Sequence, residues 1–263
     1  MIKRYEDRAQ MERNGKMATL LSACGIPAAE TVCAKNGESY AVHKDAYFLL
    51  SKKLRGSNLS DRKDLTVAYK MGSAIARLHG AFLQCEKEIQ FWDNSLLKEM
   101  QGWVLETFDR NGWQILDREA YDKAVGALAA VHDELPKQLI HRDVHFGNFL
   151  FCEGELSGYI DFDLSQRNIR IFDVCYFLTG LLSEETDDAF TREEWLASVK
   201  AVIAGYESVN PLSAKEKAAV PCVMACIEML CAAYFIRVKD TKRAADACQI
   251  RRMIQDCERY FVI

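Results

Sequence analysis

Apolar and polar positions divide the chain of 263 residues into two unequal parts. The first part mixes periods. "MIKRY" reads as the end of a strand; a helical pattern follows with Met11, Ala18, Leu21 and Cys24 on one side, and Gly25 and Pro27 of "CGIP" stop it. Three short strands are expected next, "ETVCA", "ESYAVH" and "AYFLLSK", the first two separated by the turn formers Lys35, Asn36 and Gly37. After "KKLRGSNLS" the period becomes helical, which sets a lobe boundary between residues 1–54 and 55–263. Ser60 can cap a helix whose Leu65, Ala68, Met71, Ile75, Leu78 and Phe82 recur at helical spacing. A second helix carries Tyr121, Ala124, Val125, Leu128 and Val131, with Pro136 ending it. "LSGYIDFD" reads as one more strand, and from Ile171 onward the pattern is helical around an acidic segment, "SEETDDAF".

The stretch "LIHRDVHFGNFLF", residues 139–151, breaks this alternation by placing polar residues between two strand-like runs. Asp143 and Asn148 are five positions apart, and Asp161 follows Asn148 by thirteen. The H-R-D-x-x-x-x-N spacing followed by D-F suits phosphoryl transfer from ATP. A carboxylate beside an acceptor hydroxyl orients it and accepts its proton, while an amide oxygen and a second carboxylate hold magnesium against the phosphates. The flanking strands would keep such a loop rigid.

"HRDVHFGN" with "IDFD" resembles the aminoglycoside phosphotransferase and choline kinase group of small-molecule kinases, which includes homoserine kinases and spore-coat-associated relatives. The resemblance extends over "GIPAAETV", "AYFLLSKKLRG", "IARLHGAF" and "RIFDVCYFLTG". It implies an α+β, protein-kinase-like bilobal fold with a small antiparallel-sheet lobe and a large, mainly helical one. It also implies ATP and Mg2+ as cofactors and a small-molecule hydroxyl as acceptor. Carried over residue by residue, it makes Asp143 the catalytic base, Asn148 and Asp161 the magnesium ligands, and His141, Arg142 and Asp173 supports of the loop. Ser51, Lys52, Lys53 and Leu54 would form the hinge beside adenine. If Ile2 and Lys3 match the lysine strand, Lys3 contacts the nucleotide and Glu12 is its ion-pair partner.

No glycine-rich hairpin precedes Lys3 in this sequence, and Asp163 stands where protein kinases have glycine. A start placed too far downstream, a lobe that closes differently, and a kinase-fold binding protein without turnover all remain open. Eleven residues separate Asp161 from Asp173 and no A-P-E follows, so a peptide acceptor is disfavoured.

Composition narrows the partners. A net charge of −4 gives no case for nucleic acid. Ten cysteines without a C-x-x-C pair suit free thiols in a reducing cytoplasm. The charged start, with Lys3, Arg4, Glu6 and Asp7, does not read as a signal peptide. Residues 218–236 approach membrane length, but Pro221 and Glu228 favour a buried core helix, and no membrane partner is expected. A transition-metal site from His141, Asp143 and His145 is the weaker alternative for the loop. Glu184, Glu185, Asp187 and Asp188 could form an acidic wall for an amine-bearing acceptor, although a solvated loop explains them more simply.

Overall fold

The computed structural model describes residues 1–59, 61–183 and 189–261. Strands β1 (Ile2–Tyr5), β2 (Ala41–His43) and β3 (Ala46–Leu50) form an antiparallel sheet in the order β1-β3-β2, with Lys3 opposite Leu49. Lys44 and Asp45, both at positive φ, make the tight turn between β2 and β3, where left-handed residues match the twist of the strands. Helix α1 (Arg8–Ala23) starts at Asp7, whose side chain accepts the Ala9 N–H, and packs Met17 and Leu21 into the main core. Cys24 falls just beyond α1 and is exposed, so it does not belong to that face.

"ETVCA" is not a strand. Thr31 makes one bridge to Ser51, framed by Val32 N–H to the Leu50 carbonyl and Lys52 N–H to the Glu30 carbonyl. Val32 and Cys33 are exposed, and with no apolar face to bury the ladder stops.

The remaining described chain is dominated by helices. Helix α2 (Leu65–Glu88) begins at Asp64, whose side chain accepts the Thr66 N–H; Ser60 lies outside the described residues, and the cap is Asp64. Leu65, expected in the core, is exposed at the first turn. A helical run unforeseen from the sequence follows: α3 (Leu96–Glu99), a π turn (Met100–Val104) and α4 (Leu105–Asn111). Next come α5 (Arg118–Val131), β4 (Lys137–Ile140), β5 (Phe149–Cys152), β6 (Glu155–Tyr159) and β7 (Gln166–Ile169). Strand β4 pairs with β7, and β5 forms a hairpin with β6. Because β6 ends at Tyr159, the "IDFD" end of the expected strand turns away instead. Helices α6 (Ile171–Ser183), α7 (Arg192–Glu207), α8 (Ala214–Arg237) and α9 (Thr241–Cys257) complete the fold.

Helix α8 is long and apolar enough to cross a membrane by length and composition, but 61% of that stretch is buried against other helices, as in a core helix. The ten cysteines are all free; Cys24, Cys33 and Cys152 are exposed and the others wholly or partly buried. One large hydrophobic core runs through both parts of the chain, and a small cluster of Tyr5, Met11 and Leu49 lies beneath the sheet.

Helices α2 and α7 meet backbone to backbone. A methyl group on Gly72 would overlap the Val202 carbonyl, and one on Gly205 the Tyr69 carbonyl. This contact sets His79 of α2 against Tyr206 of α7. Gly72→Ala should cost about 1–3 kcal/mol through forced separation of the helices. Urea denaturation checks this, with the midpoint falling and the slope unchanged.

Candidate active site

A buried carboxylate organises the site. Asp173, at the start of α6 and fully buried, accepts the main-chain N–H groups of His141 at 2.7 Å and Arg142 at 2.8 Å and faces His79 Nε2 at 3.0 Å. A carboxylate only accepts, so His79 donates from Nε2, and its Nδ1 faces the Tyr206 hydroxyl 2.9 Å away. Arg142 has a φ of 71°, a left-handed conformation uncommon outside glycine. Its guanidinium is held by Glu99 at 2.8 Å and Gln166 at 2.8 Å.

His141 is fully buried and stacks near Phe149 and Phe162. Nε2–H donates to the Ile160 carbonyl at 3.0 Å, and Nδ1 accepts the Asp143 N–H at 3.3 Å. Burial lowers its pKa, outweighing the nearby negative charge of Asp173. A neutral ring thus ties the loop to the residue before Asp161.

Three side chains converge on Asp143. Asn148 Nδ2 donates to Oδ2 at 3.1 Å, Tyr176 O–H donates to Oδ1 at 3.1 Å, and His145 Nε2 lies 3.5 Å from Oδ2. Burial works to raise this carboxyl, but His145, His141 and Tyr176 together hold it below the usual aspartate value. Asn58 donates to the carbonyls of Phe146, Gly147 and Phe149, pinning the far side of the loop.

Asp161 has a φ of 63° and turns its carboxylate toward Lys3 Nζ, 2.7 Å away. Lys3 also pairs with Asp163 at 2.7 Å, and Asp163 accepts a short hydrogen bond from Asn14. Burial tends to lower the Lys3 pKa, yet the two aspartates leave it raised. Glu12 is not the partner of Lys3: it is exposed on α1 and pairs with Arg8 one turn earlier at 2.7 Å, while Asn14 points inward.

Two clefts meet at the Asp143 to Asn148 hydrogen bond. One, of about 300 Å³, is bordered by Lys3, Asn14, Ser51, Asn148, Asp161 and Asp163. The other, of about 590 Å³, has Asp143, His145 and Tyr176 at one end and reaches Glu228 of α8 and Asp246 of α9. Of the expected hinge only Ser51 borders the first cleft. Lys52 pairs with Glu30, Lys53 is exposed, and Leu54 packs beside Gly158. The residues 184–188 of the expected acidic wall lie outside the described residues.

The donors suit magnesium. Asn148 gives its NH2 group to Asp143 and keeps an amide oxygen; Asp161 adds a carboxylate on the same cleft, and both are hard oxygen ligands. No group of three or more His, Cys, Asp or Glu able to hold a metal occurs among the described residues. Magnesium in kinase sites takes only one or two carboxylates and fills its shell with water and phosphate, so a sparse protein ligand set fits it.

A family model described as "Phosphotransferase enzyme family" matches residues 1–216. The chain belongs to that phosphotransferase family. A homoserine kinase of Mesorhizobium japonicum is 40% identical over 221 residues, covering 79% of this chain and 62% of that protein. Alignments with the curated homoserine kinases span from 25% to 63% of their own lengths. An amicoumacin kinase solved with AMP-PNP and Ca2+ superposes with a TM-score of 0.69 at 18% identity, covering 98% of this chain and 80% of that one. A microcompartment-associated aminopropanol kinase gives 0.69 at 16% identity, covering 98% and 86%. These two likenesses establish the phosphotransferase fold.

Several residues around these two clefts escape motif reading. His79 sits in "IARLHGAF" and reads from the sequence as an ordinary core histidine. Tyr176 is three positions beyond Asp173, on the next turn of α6, a periodicity that could have placed both on the loop side. Asn58, Asn14 and Glu99 carry no sequence signal; they are recruited by the tertiary fold.

Asp173→Asn keeps the shape but offers an NH2 group to donors that need an acceptor. It should destabilise the protein by about 3–5 kcal/mol, read as a lower denaturation midpoint. Glu228 behaves oppositely to a paired carboxylate. Burial raises it to about 7, against the lowering effect of the Thr179 hydrogen bond. Between its ordinary value and about 7 the folded chain holds a proton that the unfolded chain has released, so this residue costs stability as pH rises through that window. Glu228→Gln should therefore raise the melting temperature relative to wild type more above neutral pH than in acid.

Proposed function

We propose that this protein is a cytoplasmic phosphotransferase that moves the ATP γ-phosphoryl group, with magnesium, to a hydroxyl of a small molecule. One observation carries this reading: Asp143 and Asn148 are hydrogen-bonded to each other while bordering different clefts. A nucleotide in the smaller cleft and an acceptor in the larger would thus be brought together at that bond.

Asp143 is ionised at neutral pH, because its carboxyl lies below the usual range. It aligns the acceptor O–H and takes its proton as the oxygen joins γ-phosphorus and the bond to the β-phosphate oxygen breaks. Since such transfers pass through a loose transition state, orientation matters more than basicity. Tyr176 and Asn148 fix the carboxylate plane, leaving little rotation to lose on reaching the reactive geometry. Bound magnesium, held by Asn148 and Asp161, would neutralise phosphate charge. Lys3 then exchanges its carboxylates for phosphate oxygens. The relatives' names make homoserine the first acceptor to try, with amino alcohols next.

Calorimetric titration of ATP with and without magnesium tests the nucleotide half. Binding should require the metal and be lost in Asp161→Ala. Asp143→Asn should bind nucleotide normally yet lose about 10²–10⁴-fold in kcat. Full turnover in that variant would falsify the assignment.

A further inference from the structure

A further cavity lies where α5, α8 and α9 meet, and among the described residues it shares no lining with the clefts at Asp143 and Asp161. Its volume is about 80 Å³, and Ala120 and Ala124 of α5, Pro221 and Ala225 of α8 and Ile254 of α9 make most of its wall apolar. Arg251 of α9 also lines it and is only 8% exposed. A buried arginine ordinarily faces a carboxylate, often through two parallel hydrogen bonds. Here one amino nitrogen donates to Gln255 at 2.9 Å, Nε is buried without a partner, and no salt bridge to the guanidinium occurs among the described residues.

The surrounding charges do not supply the missing partner. Asp117 is occupied in capping α5 through the Glu119 N–H, Asp256 is exposed on α9, and Arg252 adds a second cation. Burial lowers the Arg251 pKa in spite of those two acids. An arginine nevertheless keeps its proton in a folded protein, so a desolvated charge is left without compensation. Lys123, exposed on α5 at the same cavity, is likewise without a salt bridge among the described residues. Glu258 is the one carboxylate on the described lining, and it is exposed in the turn after α9.

We propose that this cavity is a second ligand site, separate from phosphoryl transfer, and that it takes a short-chain monocarboxylate. The carboxylate meets the Arg251 guanidinium and the Lys123 ammonium, while the hydrocarbon end lies against the alanines. Size restricts the class. A cavity of about 150 Å³ holds a benzene ring, so one of about half that volume holds a group the size of ethyl or propyl. An inorganic oxyanion would satisfy the arginine but leave the apolar wall uncovered.

Thermal melts of the full chain at constant ionic strength test the site, with sodium propionate compared against propionamide, sodium chloride and inorganic phosphate. Near saturation propionate should raise the melting temperature by about 2–4 °C, as a ligand confined to the folded chain does, and the other three should not. Arg251→Met keeps the side chain's bulk without its charge and should abolish the shift. Lys123→Glu, at an exposed position that the fold does not need, should raise the propionate concentration required by about tenfold. Asp143→Asn, altered in the larger cleft, should leave the shift unchanged. Absence of a propionate shift, or an equal one with propionamide, overturns the site. So does a shift that Lys123→Glu or a folded Arg251→Met leaves intact, or that Asp143→Asn abolishes. A shift with phosphate as large as that with propionate overturns the assignment of a carboxylate with a hydrocarbon end.

Discussion

The buried carboxylate of Asp173 is the constraint from which the rest of the site follows. A fully desolvated charge is tolerable only if donors surround it, and three do: two consecutive loop N–H groups and a histidine. The two N–H groups can point at one carboxylate only if the main chain turns sharply, which accounts for the left-handed Arg142. That turn launches Asp143 toward the larger cleft. The histidine closes the arrangement on the other side, because Tyr206 holds its second nitrogen and the glycine contact between α2 and α7 sets that tyrosine in place. Helix packing far from solvent is thereby converted into the direction of one partly buried carboxylate at the cleft.

A second balance of charge governs the smaller cleft. Asp161 and Asp163 lie two residues apart and would repel across a site built to attract cations. Lys3, held opposite Leu49 by strand pairing, lies between them. Its ammonium stands in for positive charge that a bound metal would bring. Its side chain is one-third exposed, so its pairs are screened and exchangeable rather than a source of stability. The Asn14 hydrogen bond keeps Asp163 with α1, so a partner exchange by Lys3 need not disturb the helix.

The sequence revealed the loop because its chemistry is local. His141, Asp143 and Asn148 lie within eight residues, and strands with apolar patterns bracket them. The division into a small sheet and a helical remainder was legible for the same reason, since periodicity is a short-range signal. What failed needed partners from elsewhere. "ETVCA" has strand composition but no face to bury. Glu12 has the right residue type, yet one turn of α1 directs it to Arg8 rather than toward the cleft. The α3 to α4 run, broken in its geometry at Gly102, offers no clean period to read. His79 could not be told from a packing histidine, because its meaning comes from an aspartate 94 positions away.

The larger cleft sets two carboxyls in opposite states. Asp143 is surrounded by a phenol, an amide and an imidazole, which favour its ionised form in spite of burial. Glu228 has one hydroxyl against complete burial, and its proton is retained to about neutrality. Tyr176 stands between these environments: burial foremost, with the negative charge of Asp143 beside it, keeps its phenol protonated and able only to stabilise Asp143 as a donor. Opposed carboxyls in one cavity are the usual physical basis for dividing labour between acids. Here the donors of α6 and the loop favour the ionised form of Asp143, while burial in the apolar body of α8 favours the protonated form of Glu228.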